Sequence, residues 1–118
     1  MLGVINSERN KAIGRARELV LRVYALAQQD RYLSLDMTEL ASEEAIAQLR
    51  ALDVEAGAIS EYRVSSWYAD YLGSTGGIDL IVTRGGRPGE ETVTFGSGRI
   101  WSVKRKDSKS PFDPSAAN

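Results

Sequence analysis

At Gly57 the chain changes character. Before it, Ala, Leu and Glu dominate and apolar residues recur every three or four positions; after it, Val, Ile, Thr, Tyr and Trp dominate and alternate with polar residues. The 118 residues leave room for one domain, since domains run to roughly 100–200 residues each. Helices from the first half therefore have to cover a sheet from the second. That is an α+β layout, in which an antiparallel sheet buries one face under helices and leaves the other to solvent.

The helical half divides in two. Ser7-Glu8 reads as a helix start, because a Ser side chain accepts from orphan backbone N–H groups and a carboxylate favours the positive helix end. Ile13, Ala16, Val20, Val23 and Ala27 then mark a buried stripe, widened by Ala12, Leu19 and Leu26, with Arg15, Glu18 and Arg22 off it. Gly14 costs about 1 kcal/mol against Ala in such a helix, which so long a pattern absorbs. The helix should fade at Gln28-Gln29-Asp30, followed by a loop that tucks Tyr32, Leu33 and Leu35 beneath it. Ser42-Glu43-Glu44 opens a second helix with Ile46, Leu49 and Leu52 on its buried side.

Four strands follow as a meander. From Ala58 to Tyr71, Tyr62, Val64, Ser66 and Tyr68 alternate with Ile59, Glu61, Arg63, Ser65 and Trp67, and the change of apolar face near Trp67 predicts a bulge. After a Gly73–Gly77 loop come Ile78 to Thr83, the turn Arg84 to Gly89, a third strand in which Glu91, Val93 and Phe95 share a face, and a fourth from Arg99 to Lys104, where Trp101 and Val103 share one. Several glycines let such a sheet curl around the long helix. Residues 1–105 thus read as a single domain, and Lys106 to Asn118 as a flexible polar tail.

Composition removes much chemistry. Cys and His are both absent, which excludes disulfides, thiol nucleophiles, imidazole bases and Cys/His zinc sites. Carboxylate chemistry survives, and neither a cofactor nor a metal is implied. Fifteen basic residues against 16 acidic give a net charge of -1, so no bulk charge calls for nucleic acid or an anionic membrane. Met1 to Ile5 is apolar for five residues only, too short for a signal peptide core or a membrane span. The chain as written reads as cytoplasmic; a chain trimmed of a leader, and so secreted or periplasmic, would look the same.

In order, three segments carry a resemblance: Ala25 to Tyr32, with Asp30 and an aromatic closing the first helix; Gly57 to Val64, the strand after the second helix; and Glu91 to Phe95 followed by Gly98 to Val103, a closing hairpin with its Trp101. Together they resemble the cystatin-like superfamily, whose best-known branch is the nuclear-transport-factor-like domains, over roughly Ser7 to Arg105. The resemblance implies a curved sheet wrapped on a long helix, an apolar cavity between them, and homodimers formed through the sheet. It implies no activity. Catalytic branches place Asp, His or Tyr in the cavity, and the lack of His excludes those that use an Asp–His pair.

Tyr62, Trp67, Tyr68, Tyr71 and Asp70 combine rings with one carboxylate and could line an apolar pocket with a polar anchor. With Tyr24 and Trp101 added, the candidate ligand-binding residues are Tyr24, Tyr62, Trp67, Tyr68, Asp70 and Trp101. Strand aromatics also simply pack, in a core or a dimer interface. Asp79, among Ile78, Leu80, Ile81 and Val82, could be a buried acid with a raised pKa, but strand alternation puts it on the wetter face.

Charge is uneven along the chain. The first helix has five basic residues (Arg9, Lys11, Arg15, Arg17, Arg22) against Glu8 and Glu18, whereas the middle has Asp36, Glu39, Glu43, Glu44, Asp53, Glu55 and Glu61 against Arg50. No stacking motif accompanies the basic helix, so it reads as a solvated face and not as a nucleic-acid surface. Gly85 to Gly89 joins two strands and lacks the Lys-Ser/Thr of a phosphate loop. Three functions remain: a non-catalytic domain binding a small apolar ligand or a protein partner as a homodimer, a small lyase- or isomerase-type enzyme using Asp and Tyr, and a truncated pilin-like structural subunit.

Overall fold

The computed structural model describes residues 2–70 and 73–107, with side chains for 7–70 and 73–106. Three helices, α1 (Leu2–Gln28), α2 (Leu35–Leu40) and α3 (Glu43–Glu55), precede four strands, β1 (Ile59–Ala69), β2 (Thr75–Arg84), β3 (Arg87–Gly96) and β4 (Arg99–Asp107). The strands pair antiparallel in the order β1-β2-β3-β4. The helices pack against one face of this meander, and the sheet is not strongly curled.

The core lies where α1 meets the sheet. Val20, Val23 and Tyr24 from α1, Met37 from α2, Ala45 and Leu49 from α3, and Ile78, Leu80, Val82, Val93 and Ile100 from the strands are all buried. Ile13 and Ala16, the expected start of the stripe on α1, are buried as well.

Several boundaries differ from the sequence expectations for identifiable reasons. α1 starts at Leu2 and not at Ser7: a helix that already exists extends at little cost, and Ser7 lies inside it. Its end is as expected. Asp30 takes a left-handed φ of 58°, and the Arg31 N–H donates to Leu26 O at 2.9 Å, which closes the last turn. The expected loop after it contains α2, capped by Ser34, whose Oγ accepts from the Met37 N–H at 3.2 Å. Tyr32 is buried as anticipated, but Leu33 and Leu35 are 85% and 79% exposed, because the short helix turns Met37 inward instead. α3 begins at the expected cap, with Ser42 Oγ accepting from the Ala45 N–H.

The hairpins are tighter than expected. Gly85 and Gly86 both have positive φ (58° and 80°), so two residues suffice for the turn and the strands extend to Arg84 and Arg87. Ser97 and Gly98 (52° and 76°) do the same between β3 and β4. The expected Gly73–Gly77 loop loses Thr75, Gly76 and Gly77 to β2. β4 runs on to Asp107, past the expected Lys104, and the rest of the segment read as a polar tail lies outside the described residues.

Three register shifts re-aim side chains, the first leaving Ser60 of β1 as an extra residue between Ile59 and Glu61. In β1 the pairing slips between Val64 and Ser66, so that Trp67, opposite Ile78, joins Tyr62 and Val64 on the helix-covered face. This is the bulge that the change of apolar face implied. In β4 the slip against Thr94 and Phe95 leaves Trp101 as the extra residue. Val103 therefore shares the inner face with Ile100, not with Trp101, which is 43% exposed.

The two edges of the sheet are treated differently. Ala41 bridges Ile100 in parallel, the Ser42 N–H donates to Ile100 O (2.9 Å), Ser42 Oγ donates to Trp101 O (3.1 Å), and the Val103 N–H donates to Gln48 Oε1 (2.7 Å). The segment from α2 into α3 thereby occupies the β4 edge.

Candidate functional site

The most unusual feature of the interior is ionic. Arg84 continues the inward phase of Ile78, Leu80 and Val82 along β2, and Glu91 precedes Val93 and Phe95 in theirs along β3; both side chains are fully buried. Arg84 Nε donates to Glu91 Oε2 at 2.7 Å, and Arg105 Nη1, from β4, donates to the same oxygen at 2.7 Å. The Tyr24 hydroxyl, from α1, donates to Glu91 Oε1 at 2.7 Å. On its other side Arg84 Nη1 donates to Asp53 Oδ1 (2.6 Å) and to Gly57 O (3.0 Å), while the Tyr32 hydroxyl donates to Asp53 Oδ2. Two guanidiniums and two carboxylates thus meet beneath the helices, held by α1, α3 and three strands.

Their electrostatics follow from burial and pairing. Burial, then the Glu91 carboxylate, pushes the Tyr24 phenol well above its ordinary value of 10.0, with Arg84 and Arg105 opposing. Burial and the Asp53 hydrogen bond push Tyr32 up in the same way. Burial works to lower Arg84, but the bonds to Glu91 and Asp53 outweigh it and hold the guanidinium above its ordinary value. Each charge is neutralised in place. That is the condition under which buried ions are tolerated, and it gives the cluster a structural role.

The expected site residues are dispersed. Tyr24 and Tyr62 meet under α1 with ring centroids 5.8 Å apart, tilted by 42°. Trp67 is on the same face but further along, beneath the Arg9 guanidinium at 5.2 Å. Tyr68 points to the opposite face, where its ring lies over Gly77. Asp70 organises the turn after β1: its carboxylate accepts from the Ser74 N–H (2.9 Å), Ser74 Oγ (3.0 Å) and Thr75 Oγ1 (3.0 Å). Burial opposes, but these bonds together hold its pKa below the ordinary 3.8. The Trp101 indole N–H donates to Gly96 O at 2.7 Å, with Arg99 5.4 Å above the ring. Tyr71 is outside the described residues.

Asp79 is on the helix-free face, as strand alternation required, and accepts from Ser66 Oγ (2.8 Å) and Thr92 Oγ1 (2.7 Å). Neither Asp70 nor Asp79 lines the clefts along α1. The ionic cluster was missed at the level of sequence, although its signal was present: three charged residues, Arg84, Glu91 and Arg105, each in phase with buried strand neighbours.

Open space lies along α1. A cleft of about 320 Å³ is lined by Ala12, Ala16, Leu19 and Phe95, with Arg15, Ser74 and Ser97 among its polar residues. A second, of about 240 Å³, lies between α1 and the strands at Ile13, Arg17, Val64, Trp67 and Ile78. Among the described residues no group of three carboxylates is arranged to hold a metal ion, and no helix is long and apolar enough to cross a membrane. Compared with known family models, with curated proteins and with solved structures, the chain matches none.

Proposed function

We propose that the chain is a non-catalytic binding domain of cystatin-like type, which takes a small apolar ligand or an apolar segment of a protein partner beside α1 and acts as a homodimer joined through its sheet. One observation carries this reading. The larger cleft has an apolar floor of Ala12, Ala16, Leu19 and Phe95 and a single cation, Arg15, among its lining residues, a combination suited to an apolar body with an anionic end. The acidic groups that an enzyme would need are committed elsewhere: Asp70 to its turn, Asp79 to the outer face, Glu91 to the buried cluster.

The test is titration of the isotopically labelled protein with decanoate, followed by amide chemical shifts. Binding in the cleft moves Ala12, Ala16, Leu19 and Phe95, and Ala12→Phe, which fills the space, abolishes the effect. Shifts confined to other surfaces, or none at millimolar ligand, would sink the proposal.

A second reading, a pilin-like structural subunit, has one observation in its favour. The helical backbone of α1 begins at Leu2, and from Ser7 to Ala12 its side chains are exposed or half-buried, with burial setting in at Ile13. If the early turns serve assembly and not folding, deleting residues 1–6 leaves the thermal midpoint unchanged; a clear drop assigns them to the domain's own stability.

A further inference from the structure

β1 and β4 end the sheet on opposite sides, and among the described residues the β4 edge carries more of the bonds from outside the sheet. Along β1 the Gln28 side chain donates to Ile59 O (3.4 Å) and Ser60 O (3.0 Å). From Glu61 to Tyr68, among the described residues, no group from outside the sheet bonds to the backbone of the outer edge. An unpaired strand edge is a template for another strand.

β1 itself restricts what can pair there. Register shifts on either side leave Glu61, Tyr62, Arg63 and Val64 as an uninterrupted run. Glu61 and Arg63 lie on the helix-free face, both exposed, and neither has an ion-pair partner among the described residues. When two copies of one strand pair antiparallel about a two-fold axis, opposed residues share a face, so one residue of the run must sit on the axis. Glu61 on the axis opposes two carboxylates, and Arg63 opposes two guanidiniums. Val64 on the axis carries the pairing into the bulge. Tyr62 on the axis sets Glu61 opposite Arg63 of the second copy, twice.

The geometry points to the β1 edge as a self-recognition surface, at which a second copy of this chain pairs antiparallel with Tyr62 on the two-fold axis and two reciprocal Glu61–Arg63 pairs. This rests on the proposed homodimer through the sheet and adds its edge and register.

Charge reversal tests it, with dissociation constants read by sedimentation equilibrium. Glu61→Arg and Arg63→Glu each place like charges opposite one another twice, and each should weaken the dimer about tenfold or more. An equimolar mixture of the two variants should regain the wild-type constant, because in the mixed dimer every reversed charge meets its opposite. Both positions are exposed, and circular dichroism verifies that the variants fold. A chain that stays monomeric at every concentration overturns this inference and the homodimer together. A dimer indifferent to the single reversals, or not rescued by mixing, overturns the edge and register alone.

Discussion

Glu91 accepts hydrogen bonds from two guanidiniums through one oxygen: Arg84 Nε and Arg105 Nη1 each lie 2.7 Å from Oε2. The three residues come from three adjacent strands, and none of their side chains is more than 4% exposed. Removing the carboxylate therefore takes from both guanidiniums the anion they share, while Asp53 stays bonded to Arg84. Glu91→Gln should destabilise the fold by about 3–5 kcal/mol in urea unfolding. Combining Arg84→Met with Glu91→Leu should cost less than the sum of the single changes, by about 1 kcal/mol or more. Strict additivity would show that the two residues do not act as a unit.

Tyr24 supplies the hydrogen bond to the other oxygen of Glu91, so Tyr24→Phe should cost about 1–3 kcal/mol. The raised values of Tyr24 and Tyr32 also set the alkaline behaviour. Their contribution is complete below the unfolded value of 10.0 and is lost as pH rises above it toward the folded values, because the unfolded chain releases those protons first. Stability measured against pH should therefore fall above about 10, and less steeply in Tyr24→Phe. Phenolate absorbance of Tyr24 and Tyr32 should appear only together with unfolding.

Gln48 holds the β4 edge through its bond from the Val103 N–H, and Ser42 does so while capping α3. Gln48→Ala exposes an unpaired strand N–H and should cost about 1–3 kcal/mol. Ser42→Ala removes a cap and should cost about 0.5–2 kcal/mol. Because an opened edge recruits other strands, Gln48→Ala should also increase concentration-dependent aggregation, read by light scattering. Unchanged scattering would mean that α3 shields the edge by bulk alone.

Gly89 packs beneath the Arg105 guanidinium: a Cβ there would come within 2.5 Å of Nη2. Since at least three hydrogen bonds fix that guanidinium, Gly89→Ala has to displace it and should destabilise by about 1–3 kcal/mol. Gly77→Ala meets the ring of Tyr68, which is 57% exposed and free to swing aside, and should cost less. Thermal unfolding of the two variants side by side decides the order.

Local patterns made the scaffold legible. The Ser42 cap, the stripe on α1, the glycine turn between β2 and β3 and the bulge in β1 each follow from residues near one another in the chain. α2 escaped because six residues with one inward side chain, Met37, make no stripe. The placement of Trp101 depended on a bulge defined only by its pairing with β3. Arg84, Glu91 and Arg105 each stood in the inward phase of a strand, but only the register across three strands says that their charges meet. The candidate aromatics parted for the same reason: face and position along a strand are set by pairing partners distant in sequence.

A salt cluster with no slack makes strand alignment audible to the energetics of folding. Slipping β3 by one residue against β2 would swing Glu91 out into water and leave Arg84 stranded in a greasy interior without its anion. A two-residue slip would keep the apolar faces aligned yet still part Glu91 from Arg84, so the buried ions separate registers that a plain hydrocarbon core would leave closer in energy.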